Sequence, residues 1–237
     1  MTKLILIALL LWPAQTSPLA RVDELFTARD NPDSLKQAVL LMEQMTTREA
    51  SNYEGWWRLS RLRYYSGDRE PDAAKKSRLF QAGVEAGRKA VALDDKRVEG
   101  HFWYAANEGE YADLKGALQS LGLVKTIRKE FEAALAIDPA FENGAIYSAL
   151  GQIDWNLPRL LGGNERRAIE RLEEGLKVGA RNAELKVTLA GIYKKKGRTD
   201  EARKLLESVL TDSDPARSPR EMDELKAKAR ALLEKIK

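Results

Sequence analysis

The 237 residues include 40 Lys and Arg against 36 Asp and Glu, a formal net charge of +4, with 43% hydrophobic residues, one histidine and no cysteine. That is the profile of a globular chain with a sizeable core, and the interleaving of both signs leaves no basic stripe for a nucleic acid. Without cysteine there is no disulfide, thiolate metal site, cysteine nucleophile or N-terminal lipid, and one histidine excludes His₂- or His₃-type metal centres, so neither metal nor cofactor is expected.

The chain opens with Lys3, an apolar run from Leu4 to Trp12, and then small and polar residues. The run is too short to span a bilayer, which takes about twenty residues. The layout is that of a secretory signal peptide over 1–20, cleaved after Ala20, with a short uncleaved anchor as the alternative. The expected mature chain, 21–237, is then a single periplasmic helical domain.

Beyond the leader no segment alternates in the strand manner, and apolar residues recur at spacings of three and four. "SLKQAVLLMEQM" reads as an orphan helix. "YEGWWRLSRLRYYSG" pairs with "QAGVEAGRKAVALDD", and "EGHFWYAANEGEYADLKG" with "IRKEFEAALAIDP", where Phe131, Ala134 and Pro139 mark the end of a second helix. In "GAIYSALGQIDWNLPRLLGGNERRAIERLEEGLKVGA", Tyr147, Leu150 and Gly151 answer Ala168, Leu172 and Gly175 across an insertion bearing "LPRLLGG". Residues 182–215 are regular: Leu189, Ala190, Tyr193, Gly197, Ala202 and Leu206 fall where a tetratricopeptide repeat, a helix pair of about 34 residues, places its large and small residues. Last, "SPRE" supplies Ser218 as cap, Pro219 in the first turn and Glu221 for a capping box, and Met222, Leu225, Ala229, Leu232 and Ile236 share one face. The expected fold is all-α: a right-handed α-solenoid of about four helix pairs with inserted interhelical loops and a capping helix over 218–237.

Three stretches are candidate sites. Phe102, Trp103 and Tyr104 fan over roughly 200° of a helix, more than one buried stripe takes up, so at least one should face a groove or cavity, with Asn107 and Tyr111 further along. Two in the core and one partly exposed is the plainer alternative. Trp155, Leu157, Leu160 and Leu161 are too apolar for a solvated loop, so "DWNLPRLLGG" reads as a plug on the core or a pocket rim. Trp56 is expected in the core and Trp57 in the concave groove, with Arg58, Arg61 and Arg63 on a solvated face. His101, Glu108 and Glu110 make a poor catalytic centre, because no nucleophile lies near in sequence, so the chain is not expected to be an enzyme.

With these stretches in order, "HFWYAANEGEYA", "IRKEFEAALAIDPAFENGAIYSALG" and "LPRLLGGN" before a last repeat pair, the chain resembles the TRAP transporter TatT component family over residues 50–210. It is similar, more distantly, to the microtubule-dynamics regulator family, which shares the inserted-repeat grammar; the leader segment argues against that reading. The first resemblance implies a periplasmic accessory protein that docks a TRAP solute-binding protein, forms homo-oligomers, and holds a small hydrophobic ligand, an organic acid or similar molecule, in an apolar pore. It implies Phe102, Trp103, Tyr104, Asn107, Trp155, Leu157, Leu160 and Leu161 at or near that pore. The family's type member is a lipoprotein, which a chain without cysteine is not. A general envelope scaffold gripping peptides in a groove beside Trp57 is the alternative.

Overall fold

Short polar side chains set most of the helix starts. Asn31, Asn52, Asp72, Asn164 and Asn182 each accept a hydrogen bond from a backbone N–H two or three residues on, a cap worth about 1 kcal/mol apiece. The structure, a computed structural model, describes residues 17–236, and of 117–119 the backbone alone. In chain order the helices are α1 (Pro18–Thr27), α2 (Pro32–Arg48), α3 (Tyr53–Asp68), α4 (Ala73–Leu93), α5 (Val98–Lys115), α6 (Ala117–Ile137), α7 (Phe141–Asn156), α8 (Glu165–Val178), α9 (Ala183–Lys195), α10 (Thr199–Thr211) and α11 (Pro219–Leu233). A 3₁₀ turn, Arg159–Leu161, sits between α7 and α8.

Consecutive helices pack on one another throughout. The four pairs are α3/α4, α5/α6, α7/α8 and α9/α10, preceded by α1 and α2 and closed by α11, which is the solenoid expected from the repeats. The lead-in holds two helices, where the sequence pattern marks only α2. The first sixteen residues of the expected signal peptide lie outside the described residues. Ser17 caps α1 by accepting from the Ala20 N–H at 3.2 Å, and Leu19 packs against the core.

The pairs fit through small residues. At Gly87 of α4 a Cβ would stand 2.6 Å from the Cα of Tyr104, so the α4–α5 crossing brings backbone against backbone. Two cores result. One runs from α1 to α7 and is rich in aromatics: Tyr53, Trp57, Tyr65, Phe102, Trp103 and Phe131. The other, spanning α8 to α11, is nearly all aliphatic, with Leu185, Leu189, Leu206 and Val209 at its centre.

The two ends of the array meet. Arg29, after α1, reaches the start of α11 and makes a two-bonded ion pair with Glu221, both bonds 2.8 Å. Asp30 accepts from the Ser218 hydroxyl at 2.6 Å and from the Arg220 backbone N–H at 3.1 Å, a carboxylate at the positive end of α11. Glu221 also completes the capping box with Ser218, so one residue both starts the capping helix and joins it to the front of the molecule. Burial would raise the Glu221 carboxyl, but the Arg29 hydrogen bond, the Ser218 N–H and nearby arginine charge outweigh it and hold it low.

Candidate functional site

Inside this ring is a cavity of about 610 Å³, within the usual range for small-molecule sites. Tyr64 and Tyr65 of α3, Phe102 and Trp103 of α5, Ile127 and Phe131 of α6, and Ile153 of α7 supply its apolar wall. Its origin is local sequence. On α5 the residues facing it include Phe102, Ala105, Ala106, Gly109, Ala112 and Asp113 at helical spacing, beside Trp103 and Glu110, with Gly116 just past the helix end. On α7 they include Ala145, Ser148, Ala149 and Gln152 in the same register. Two stripes of small residues face one space, so no side chain fills it; a Cβ built on Gly109 would meet nothing within 4 Å.

One end of the cavity is shaped by a left-handed turn at the start of α7. Glu142 and Asn143 have φ of 47° and 57°, followed by Gly144 at 80°. Such a conformation costs a non-glycine residue on the order of 1 kcal/mol and persists only where its surroundings hold it. Here Asn182 donates to the Asn143 carbonyl at 2.9 Å, and the Asn143 amide donates to Asp214 at 3.1 Å. The turn sets Glu142 on the cavity wall.

The rim comes from the inserted loop. Leu157, Pro158 and Leu161 line the cavity. Gly162 turns the chain at φ 87°, and at Gly163 a Cβ would lie 1.8 Å from the Leu157 carbonyl oxygen, so the loop closes on its own start. Asp154, its side chain fully buried, holds the loop's base. It pairs with Arg128 at 2.7 Å, Arg167 at 2.6 Å and Arg171 at 3.2 Å, and Arg167 also donates to the Gly162 carbonyl at 2.8 Å. Burial would raise the Asp154 carboxyl, but hydrogen bonds from Arg167 and Arg128 and the arginine charge overcome it and hold it below the usual range.

Of the residues expected at a site, the structure brings Phe102, Trp103, Leu157 and Leu161 together on the cavity. Tyr104 lies elsewhere, with its backbone pressed on Gly87. Asn107 is fully buried and structural, its amide donating to the carbonyls of Ser60 at 3.0 Å and Trp103 at 2.8 Å. Trp155 turns to the aliphatic core, under the ammonium groups of Lys195 and Lys196. Leu160 is 99% exposed, neither plug nor rim, because the 3₁₀ turn points it outward while Leu161 points in. The two tryptophans of α3 are exchanged relative to expectation. Trp57 is core, between the guanidinium groups of Arg58 and Arg61, and donates to Glu54 at 2.8 Å; Trp56 is half-buried. Arg58, Arg61 and Arg63 form no solvated face, being largely buried against Asp23 and Glu43 of the lead-in helices.

His101 is locked. Its Nδ1 meets Glu130 at 2.6 Å and its Nε2 the Asp95 carbonyl at 2.9 Å, so both ring nitrogens donate when the ring is charged. The Glu130 hydrogen bond raises its pKa against the opposing effect of burial. Glu110 carries more information than the sequence offered, since it lines the cavity and burial, with Asp68, Asp113 and Glu184 nearby, pushes its carboxyl up to about 7. Glu184 of α9 and Arg217, before α11, pair with each other on the same wall. The indole N–H of Trp103, a residue only 3% exposed, has no hydrogen-bond acceptor among the described residues. Among the described residues no three His, Asp or Glu side chains converge as a metal site would require, and no helix is long and apolar enough to cross a membrane.

A family model described as regulator of microtubule dynamics protein 1-3 matches residues 19–152, more than half of the chain. The chain belongs to the regulator of microtubule dynamics family. The match falls on the more distant of the two resemblances, against the argument from the leader, because almost all of that argument rests on residues before the matched stretch. Within the regulator of microtubule dynamics family match lie α1 to α5, α6 and most of α7, the helices that build the aromatic core and most of the cavity. A tetratricopeptide repeat model matches residues 160–229, across the aliphatic core. Solved structures show the same fold at low identity. A thermophilic TPR protein of Thermus thermophilus superposes with TM-score 0.65 at 20% identity, over 91% of this chain and 97% of that one. Pseudomonas aeruginosa PilF does so with TM-score 0.53 at 14% identity over 92% and 90%, and MamA with 0.51 at 16% over 90% and 95%. No curated protein matches the chain.

Proposed function

We propose that the protein is a non-catalytic binding protein that encloses a small, apolar-bodied molecule in its central cavity and offers its outer helical surface to a partner protein. The observation that carries this reading is the pair of small-residue stripes on α5 and α7, which keep about 610 Å³ open beside an indole N–H with no partner among the described residues. The commitment of both His101 nitrogens to Glu130 and Asp95 supports a structural rather than catalytic histidine. Mass spectrometry of ligands released from native protein tests the reading. A co-purifying small molecule is expected, and Gly109→Leu, which points a side chain into the open space, should abolish its retention without lowering the melting temperature.

The second reading adds a setting: export to the periplasm and docking of a TRAP solute-binding protein. It is favoured by Lys3 ahead of the apolar run Leu4–Trp12 and by "HFWYAANEGEYA" and "LPRLLGGN" in one chain. Cell fractionation followed by capture of a solute-binding protein would sustain it. Recovery from the cytosol, with co-sedimentation on microtubules, would replace it by the activity in the family's name.

A further inference from the structure

The polar groups of the cavity narrow the ligand; this rests on the cavity being a ligand site. Four carboxylates line it, Glu110 and Asp113 from α5, Glu142 from α7 and Glu184 from α9, against one cation, Arg217. Arg217 is already neutralised by its ion pair with Glu184. At Glu142 burial raises the carboxyl, and Arg61, Arg217 and Arg29 nearby offset part of that effect. Glu110 and Asp113 have no such balance. Neither makes an ion pair or accepts a side-chain hydrogen bond among the described residues, and Asp68 and Glu184 add negative charge near Glu110, with Lys76 as the opposing cation. An organic acid placed there would add a carboxylate to surplus negative charge in a partly desolvated site, where like charges repel strongly.

The walls beside these groups suit the opposite sign. Tyr64 and Tyr65 stand 5.5 Å and 5.8 Å from the Trp103 ring, giving a cluster of aromatic rings on the wall of the cavity that holds the two carboxylates. Aromatic faces and carboxylates together recognise ammonium groups, and quaternary ammonium ions above all. The Trp103 N–H is a separate sign of a ligand here: a buried donor on the same wall that lacks an acceptor among the described residues, it would take an ether or hydroxyl oxygen on the ligand's body and not the cationic end. We propose that the cavity takes a lipophilic cation, an amine or quaternary ammonium group on an apolar body, with the cationic end beside Glu110 and Asp113 and the body along Phe102, Ile127 and Phe131.

Three probes of equal chain length separate the possibilities: decyltrimethylammonium, decanol and decanoate, each titrated calorimetrically below its aggregation concentration at about pH 8, where Glu110 is ionised. The cation should bind about tenfold more tightly than the alcohol, and decanoate most weakly. The double variant Glu110→Gln, Asp113→Asn should erase the preference for the cation and leave decanol binding and the melting temperature unchanged. If decanoate binds as tightly as the cation, or if the double variant keeps the preference, the inference fails while the cavity remains a ligand site. If no probe binds, and Gly109→Leu changes nothing, the ligand site itself is lost and the inference with it.

Discussion

The front and back of the molecule solve the same packing problem with different helix lengths. In the back, α9 and α10 have 13 residues each, about 20 Å, and their large and small residues interlock into an aliphatic core. In the front, α5 and α6 have 18 and 21 residues, about 27 Å and 32 Å, and the stripes that α5 and α7 turn to the cavity are mostly alanine, glycine and serine. A long helix pair faced by small residues holds a space that short, well-interlocked helices close. The insertions that blur the repeat are therefore what give the chain a cavity, and the regular repeat is the part with least to bind.

That contrast can be broken in several places. Leu189→Ala, in the centre of the close-packed back, should cost ~3 kcal/mol of unfolding free energy by denaturant titration, because the hole it leaves cannot collapse. Ala149→Leu, on the cavity side of α7, should cost far less; an equal loss would show that the front is as tightly filled as the back. Next is the contact that ties front to back. Glu221→Gln keeps the capping box, since glutamine also serves there, but leaves the Arg29 guanidinium, 8% exposed, without its counter-charge. A loss of about 2 kcal/mol is expected. Asp154→Asn should cost about the same or slightly less, its arginine partners being partly solvated, and should make the 157–163 loop the first site of proteolytic cleavage.

A smaller effect, about 1 kcal/mol, is expected from the His101–Glu130 pair, and its pH dependence has a definite sign. His101 has a raised pKa when folded, so its contribution is complete below the ordinary histidine value of 6.5 and is lost as pH climbs through the raised value. Glu130 is held low, because the His101 and Lys129 hydrogen bonds outweigh burial; its contribution is complete above 4.5 and is lost as pH falls through the lowered value. The stability difference between the wild type and Glu130→Gln should therefore peak between pH 4.5 and 6.5 and shrink on both sides. A difference that does not fall as pH climbs well beyond 6.5 would mean that the imidazole is neutral throughout. Smallest of all is Leu160→Ser, which should leave stability within about 0.5 kcal/mol, since the side chain touches nothing in the fold.

How far the sequence shows these things differs by region for the same reason. The regular repeat at 182–215 and the cap at Ser218 were legible because the information lies in local spacing, and α9, α10 and α11 fall there. Phe102 and Trp103 are both in the core, where they also line the cavity, and Tyr104 is the partly exposed one, the plainer of the two arrangements that three adjacent aromatics allow. The order of Trp56 and Trp57 could not be read, because the rotation of α3 is fixed by Asp23 of α1 holding Arg58 and Arg61, a contact between distant segments. Glu110, Glu184 and Arg217 come from three separate parts of the chain and meet only in the folded ring. A usable signal was present in Ala105, Ala106, Gly109 and Ala112, small residues at helical spacing, but attention to the large residues beside them hid it.

The meeting of Arg29 and Asp30 with the start of α11 changes how such an array should come apart. An open stack of repeats frays from its ends, and each unit inward is protected by those outside it. A stack whose first and last helices are bonded has no free end from which to peel. Amide hydrogen exchange in this protein should consequently lack the usual gradient from tips to middle, with α1 and α11 exchanging together. Removing both Arg29 and Asp30 should restore the gradient, so that one short turn decides whether unfolding is a zipper or a clasp.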